Sequence, residues 1–276
     1  MKNFRNVYIL FTALIFMSCS DSVINYNEPS PVYNEILSVN ISNVNVKLFI
    51  TGNDSLTTGY NELFFRVTRD SVQQNTGNIK FYPKMWMTPH LWHSTPVCST
   101  FNYDNSSGYY KGYAVFNMAT SPPILVWNSF ITFKDAQGTN YDSDSIPTYT
   151  SYHPEKQYEV FTDSTEDTKY YVTLIKPFSP VTGLNDFWVI LHKSDEIEQY
   201  FEQLNEPKMY ISVYELDSLN HSSGNISPVA GSGGIYRGKI NLPYSGIWRV
   251  SDSIYYHNHY ITNNPPPMPE FNFELQ

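Results

Sequence analysis

The sequence predicts an all-β protein made of two tandem antiparallel β-sandwiches, and three observations lead there. Aromatic content is 16%, with 23 Tyr and 17 Phe, and such side chains suit pleated, half-buried surfaces. Short apolar alternations are separated by turn signals throughout the chain. A set of short motifs then recurs in the same order in the second half.

The elements follow in chain order. Residues 1–18 read as an export signal, with basic Lys2 and Arg5 ahead of an apolar run from Val7 to Met17. That run is too short to span a bilayer as a mature helix. Residues 19–40 read as a polar tether rich in Asn, Pro and Ser. Residues 41–134 form the first predicted sandwich. Val44, Val46, Leu48 and Ile50 alternate, as do Leu63, Phe65 and Val67. Tyr113, Val115 and a run from Ile124 to Phe133 supply further strands. Thr51-Gly52-Asn53-Asp54, Asn75-Thr76-Gly77-Asn78 and Asn105-Ser106-Ser107-Gly108 mark turns between them.

Residues 135–168 are acidic and polar and read as a linker, with a hairpin around Tyr158 to Phe161. Residues 169–262 form the second predicted sandwich. One helix is expected within it: Ser194 as cap, Asp195 and Glu196 in the first turn, and Ile197, Tyr200, Phe201 and Leu204 on an apolar face. Residues 263–276 begin with Pro265-Pro266-Pro267-Met268-Pro269 and read as an extended tail.

The repeat supports the two-sandwich division. Gly59-Tyr60-Asn61 aligns with Gly183-Leu184-Asn185, and Pro83-Lys84-Met85 with Pro207-Lys208-Met209, both at an offset of 124. Tyr110-Lys111-Gly112 aligns with Tyr236-Arg237-Gly238 at 126, and Trp127 roughly with Trp248. A repeat of about 100 residues with short strands fits an immunoglobulin-like sandwich.

The formal net charge is −9, and becomes −11 once Lys2 and Arg5 leave with the signal. Such a surface repels phosphate backbones and argues against nucleic-acid partners. No nucleophile elbow, phosphate loop, zinc-protease helix or dinucleotide fingerprint occurs, so a non-catalytic protein is expected.

Phe16-Met17-Ser18-Cys19 resembles the lipobox of bacterial lipoproteins. The resemblance implies that Cys19 is acylated and becomes the first mature residue. More than one acyl chain gives stable membrane attachment. The expected location is therefore the cell envelope, as an outer-membrane lipoprotein facing either side. Cys98 then has no disulfide partner and reads as a small strand residue, with a thiolate ligand role as the lesser alternative.

Between Met85 and His93 the chain places two thioethers and two imidazoles, ligand types that suit Cu(I). Gly-x-Asn, an alternating strand, a Met-rich strand end with His, Tyr-[Lys/Arg]-Gly and the late strand Gly246-Ile247-Trp248-Arg249-Val250 together resemble the YtkA-like domain family, over Val44–Phe133 and less well over Val172–Tyr255. In the first copy the late strand, Leu125-Val126-Trp127, lacks the Gly. The resemblance implies an envelope copper-handling sandwich, a chaperone or sensor, with Met85, Met87, His90 and His93 as ligands and Met118 as a fifth. The plainer reading stands beside it. Met85 has the counterpart Met209 and fits a core, and His90 and His93 fit solvated loops. The alternative function is then a metal-free module binding a protein or glycan partner through Trp86 and Trp92. His257 and His259 form a further pair without an evident third ligand.

Six Asp-Ser-aliphatic triplets resemble the O-glycosylation sequon of Bacteroidota envelope proteins. They place candidate modified hydroxyls at Ser22, Ser55, Ser71, Ser145, Ser218 and Ser253. Asp-Ser is also a natural turn pair, which is the alternative account.

Overall fold

A computed structural model describes residues 31–177, 179–195, 197–262 and 268–276. Cys19, Ser22, the export segment, most of the tether, Glu196 and Pro265-Pro266-Pro267 lie outside the described residues. Among the described residues, no helix is long and apolar enough to cross a membrane.

Two tandem immunoglobulin-like antiparallel β-sandwiches account for nearly all the secondary structure. The first contains β1 (Tyr33–Ile41), β2 (Val44–Thr51), β3 (Leu56–Thr57), β4 (Gly59–Arg69), β5 (Val72–Gln74), β6 (Asn78–Thr88), β7 (Leu91–His93) and β8 (Phe101–Asp104), followed by β9 (Tyr109–Phe116), β10 (Trp127–Lys134), β11 (Asn140–Asp142), β12 (Ile146–Thr148) and β13 (Thr150–Ser151). Its sheet runs β1-β2-β4-β9-β8-β6-β10-β11 and folds over one core. Leu48, Phe65 and Tyr110 enter that core from one half, and Phe81, Ile131 and Phe133 from the other.

The second sandwich contains β14 (Tyr158–Asp163), β15 (Thr168–Lys176), β16 (Gly183–Ser194), β17 (Phe201–Gln203), β18 (Lys208–Glu215), β19 (Ile226–Ala230), β20 (Ile235–Leu242), β21 (Gly246–Tyr256), β22 (His259–Tyr260) and β23 (Glu270–Leu275). It runs β14-β15-β16-β20-β19 in one sheet, while β18, β22 and β23 flank β21 in the other. The strand order of the first sandwich is kept. The sheet opens between β19 and β18, at the place where β6 and β8 share only a short pairing at Asn78↔Asn102 and Ile79↔Phe101.

The repeated motifs have structural causes. Asn61 accepts the Thr57 N–H and donates to the Thr57 and Gly59 carbonyls. Asn185 repeats all three bonds with Val181 and Gly183. The Gly in each motif has positive φ, 93° at Gly59 and 100° at Gly183, which a side chain would resist. The Tyr-[Lys/Arg]-Gly strands sit in one register: Tyr110 pairs with Phe65 and Tyr236 with Val189. A Cβ at Gly112 would overlap Cys98 Sγ and the Phe101 ring, and one at Gly238 would overlap the Ile226 carbonyl. Trp127 and Trp248 are both buried, but Trp127 lies opposite Met85 whereas Trp248 lies opposite Glu215.

Several expected boundaries are corrected. The tether was expected to run to residue 40, yet β1 begins at Tyr33 and pairs with β2. The expected linker, 135–168, contains the four strands β11 to β14. β11 and β12 pair with β10, β13 pairs in parallel with β3, and β14 pairs with β15. Asp135 starts the return by accepting the Gln137 and Thr139 N–H groups while holding Arg69. The tail closes the second sandwich instead of trailing away. β23 pairs with β21, and Phe271, Phe273 and Leu275 alternate into the core.

The expected helix at Ser194–Leu204 is a turn and a short strand. The Asp195 carboxylate accepts the Gln199 and Tyr200 N–H groups. Glu198 takes φ 56°, outside the helical region, and β17 folds back onto β16. A side chain that satisfies backbone N–H groups locally competes with helix in this way.

The two sandwiches share a buried junction of Tyr113, Val115, Ile175 and Ile190. Tyr113 Oη lies 3.0 Å from His192 Nε2 within it. Burial pushes the His192 imidazole down to about 3, so it is neutral at physiological pH.

Candidate binding site

The Met/His segment divides between core and surface. Met85 is wholly enclosed in the first core, and Met87 and Met118 pack against that core. The Met118 carbonyl accepts the Trp127 indole N–H and the Thr150 hydroxyl. His90 is exposed in the β6–β7 turn, where its backbone N–H reaches Thr88 Oγ1. His93 turns to the second sandwich, with Nδ1 3.5 Å from Glu198 Oε2. Cys98 is a free thiol that burial pushes up to about 11, so it is protonated at neutral pH.

The aromatic residues converge elsewhere. A cleft of about 900 Å³ opens between the sandwiches. Its floor is the outer face of β6 and β10. Phe81, Pro83 and Met85 point inward, so strand parity sends Lys80, Tyr82 and Lys84 outward. Phe130 pairs directly with Tyr82 and therefore shares its face. One wall is Trp92 on β7. Tyr200 and β17 of the second sandwich continue that wall beside Trp92.

These parts are held in place. The Lys84 ammonium sits 4.2 Å from the Trp92 ring centroid and 5.7 Å from that of Phe130. Trp92 meets Tyr200 edge-on at 6.3 Å. Gln199 Nε2 donates to the Trp92 carbonyl at 3.3 Å, and the Ser94 N–H donates to the Glu198 carbonyl at 2.9 Å. Glu198 also takes Lys169 as an ion pair. Burial alone would push the Glu198 carboxyl up, but hydrogen bonds from Lys169 and Tyr171, with the charges of Lys169 and His93, bring it below its ordinary value. The turn that bears Tyr200 is thus pinned by an ionised carboxylate.

Trp86 is 45% exposed but does not line this cleft, whereas Trp92 does. Tyr82, Phe130 and Tyr200 are additions to the expected contact residues. Tyr82 was legible from the alternation of β6, since it stands between inward-facing Phe81 and Pro83. Tyr200 was hidden by its apparent helical spacing.

The candidate modified hydroxyls differ in setting. Ser55, Ser71, Ser145 and Ser218 are exposed. Ser55 precedes β3, Ser71 lies in the β4–β5 turn and Ser145 precedes β12. Ser218 bonds the Glu215 carboxylate. Ser253 is half-buried within β21, with its hydroxyl on Met268 Sδ and its neighbour Asp252 fully enclosed.

No family model matches the sequence, and no curated protein does. Among solved structures, a marsupial T cell receptor aligns over 89% of this chain and 97% of that one, at 10% identity and a TM-score of 0.23.

Proposed function

We propose that this chain is a non-catalytic, lipid-anchored cell-envelope module that binds a glycan in the cleft between its sandwiches. The convergence of Tyr82, Phe130, Trp92 and Tyr200 in one concave site carries this reading. A sugar ring offers an apolar C–H face and a rim of hydroxyls. The cleft offers aromatic surface beside Lys80, Gln203 and Ser99, which supply hydrogen bonds. A concave site with a few convergent polar groups suits an oligosaccharide better than a flat protein surface, whose interfaces need about 800 Å² per partner.

Copper binding through the Met/His segment draws less support. It requires Met85, fully enclosed against Trp127, and His90, exposed in a turn, to meet at one ion. Lipid anchoring and envelope location rest on the lipobox resemblance at Cys19.

The test is a glycan array probed with the full chain. Selective capture of one oligosaccharide class, undiminished by a metal chelator, supports the reading. Absence of any selective capture by the folded protein contradicts it.

A further inference from the structure

A cluster of four side chains stands apart from the cleft, at one end of the second sandwich. Asp163 ends β14 and Glu166 lies in the β14–β15 turn. His257 occupies the β21–β22 turn, and His259 opens β22. The first pair belongs to one sheet and the second to the other. One ligand atom from each of Asp163, Glu166 and His259 lies within 4.8 Å of the other two.

The contacts around them resemble those of an assembled ligand shell. The Asp163 side chain is 2% exposed. Its Oδ1 accepts the Thr165 N–H at 3.0 Å, which leaves Oδ2 facing His259 Nε2 at 2.7 Å. His259 Nδ1 lies 3.2 Å from the His257 carbonyl. A carbonyl only accepts, so Nδ1 carries a proton; a second proton lies between Nε2 and Asp163 Oδ2, and Nε2 becomes a ligand atom when a metal displaces that proton. Metal-bound imidazoles are commonly oriented by a bond such as that from Nδ1. Glu166 Oε1 is steadied in turn by His257 Nδ1 at 2.8 Å.

We propose that Asp163, Glu166 and His259 bind Zn(II), with water in the fourth position and His257 as a positioning residue for Glu166. Zinc takes N and O ligands at about 2.0–2.2 Å, which sets ligand atoms of a tetrahedral shell about 3.4 Å apart. Small side-chain adjustments from the present separations reach that spacing. The imidazole disfavours Ca²⁺ and Mg²⁺, which take oxygen ligands. Bound zinc replaces the proton between Asp163 and His259 and fastens one sheet to the other. The site is independent of the glycan reading.

The experiment is Zn(II) titration of the purified full chain against a chromogenic chelator, alongside Asp163→Asn, His259→Ala, His257→Ala and the distant control His90→Ala. Near-UV circular dichroism verifies folding of each. One equivalent should bind to the wild type and to His90→Ala and raise their Tm. Asp163→Asn and His259→Ala should lose binding and the rise in Tm. His257→Ala should weaken binding about 10-fold or more, in the range seen for residues that orient a ligand. Absence of zinc binding to the wild type overturns the proposal, as does binding unchanged in folded His259→Ala. The more conservative Asp163→Asn decides the matter should His259→Ala fail to fold.

Discussion

At the scale of the residue, the chain is most informative where a motif has a backbone cause. Gly-x-Asn was visible as a repeat, and its role is a turn locked by the Asn side chain at Asn61 and again at Asn185. Met85 was visible as half of a metal motif or as core, and it packs as core. Asp252 was visible only as part of an Asp-Ser-Ile triplet. It is fully enclosed, and neither carboxylate oxygen has a hydrogen-bond partner. Burial pushes its carboxyl up to about 8. Unfolding therefore releases its proton between about pH 4, the ordinary carboxylate value, and pH 8. The stability this group contributes is complete below pH 4 and lost as pH rises toward 8. Asp252→Asn should raise Tm at pH 8 and change it little at pH 4. A Tm difference that does not vary with pH across thermal melts would show that Asp252 is already ionised in the folded state.

At the scale of the element, alternation identified the strands that face one core and solvent. Where both faces are covered the alternation is masked, although a strand was still expected at Tyr113 and Val115 and is present as β9. β9 and β16 face a core on one side and the junction on the other, so Tyr113-Ala114-Val115-Phe116 and Phe187-Trp188-Val189-Ile190-Leu191 read as continuous apolar runs. Polar composition hid β11 to β13, because they are short and half-exposed. The helix expected at Ser194–Leu204 failed because Asp195 bonds the turn and not a helix terminus. The last strand was legible in Phe271-Asn272-Phe273-Glu274-Leu275, whose alternation the preceding prolines obscured. Phe271 is 1% exposed. Its replacement by Ala should cost about 3–5 kcal/mol, measured by urea unfolding. A cost below about 1 kcal/mol would mean that β23 is peripheral to the second core.

At the scale of the whole molecule, the junction decides the function proposed for it. Tyr113, Val115, Ile175 and Ile190 bury apolar surface between the sandwiches, and neutral His192 completes the contact with Tyr113. A junction of this kind holds the β6–β10 face and the Tyr200 turn at a fixed spacing, which preorganises the cleft. Trp92 was an expected contact residue and Tyr82 was readable from alternation, but the junction and the meeting of the two sandwiches at the cleft were not legible beforehand. The cleft is assembled from residues more than 100 positions apart, Trp92 and Tyr200 among them, and a linker was expected between the two sandwiches. The central claim is that the cleft binds a glycan through these rings. Its most direct test is calorimetric titration of the array-selected oligosaccharide into wild type, Trp92→Ala, Tyr200→Ala and Trp86→Ala. Trp92→Ala and Tyr200→Ala should each weaken binding by about 30-fold, the 2 kcal/mol typical of a central aromatic contact, with Trp86→Ala unchanged. Loss in Trp86→Ala with the two cleft variants unaffected would place the partner on another surface and contradict the account.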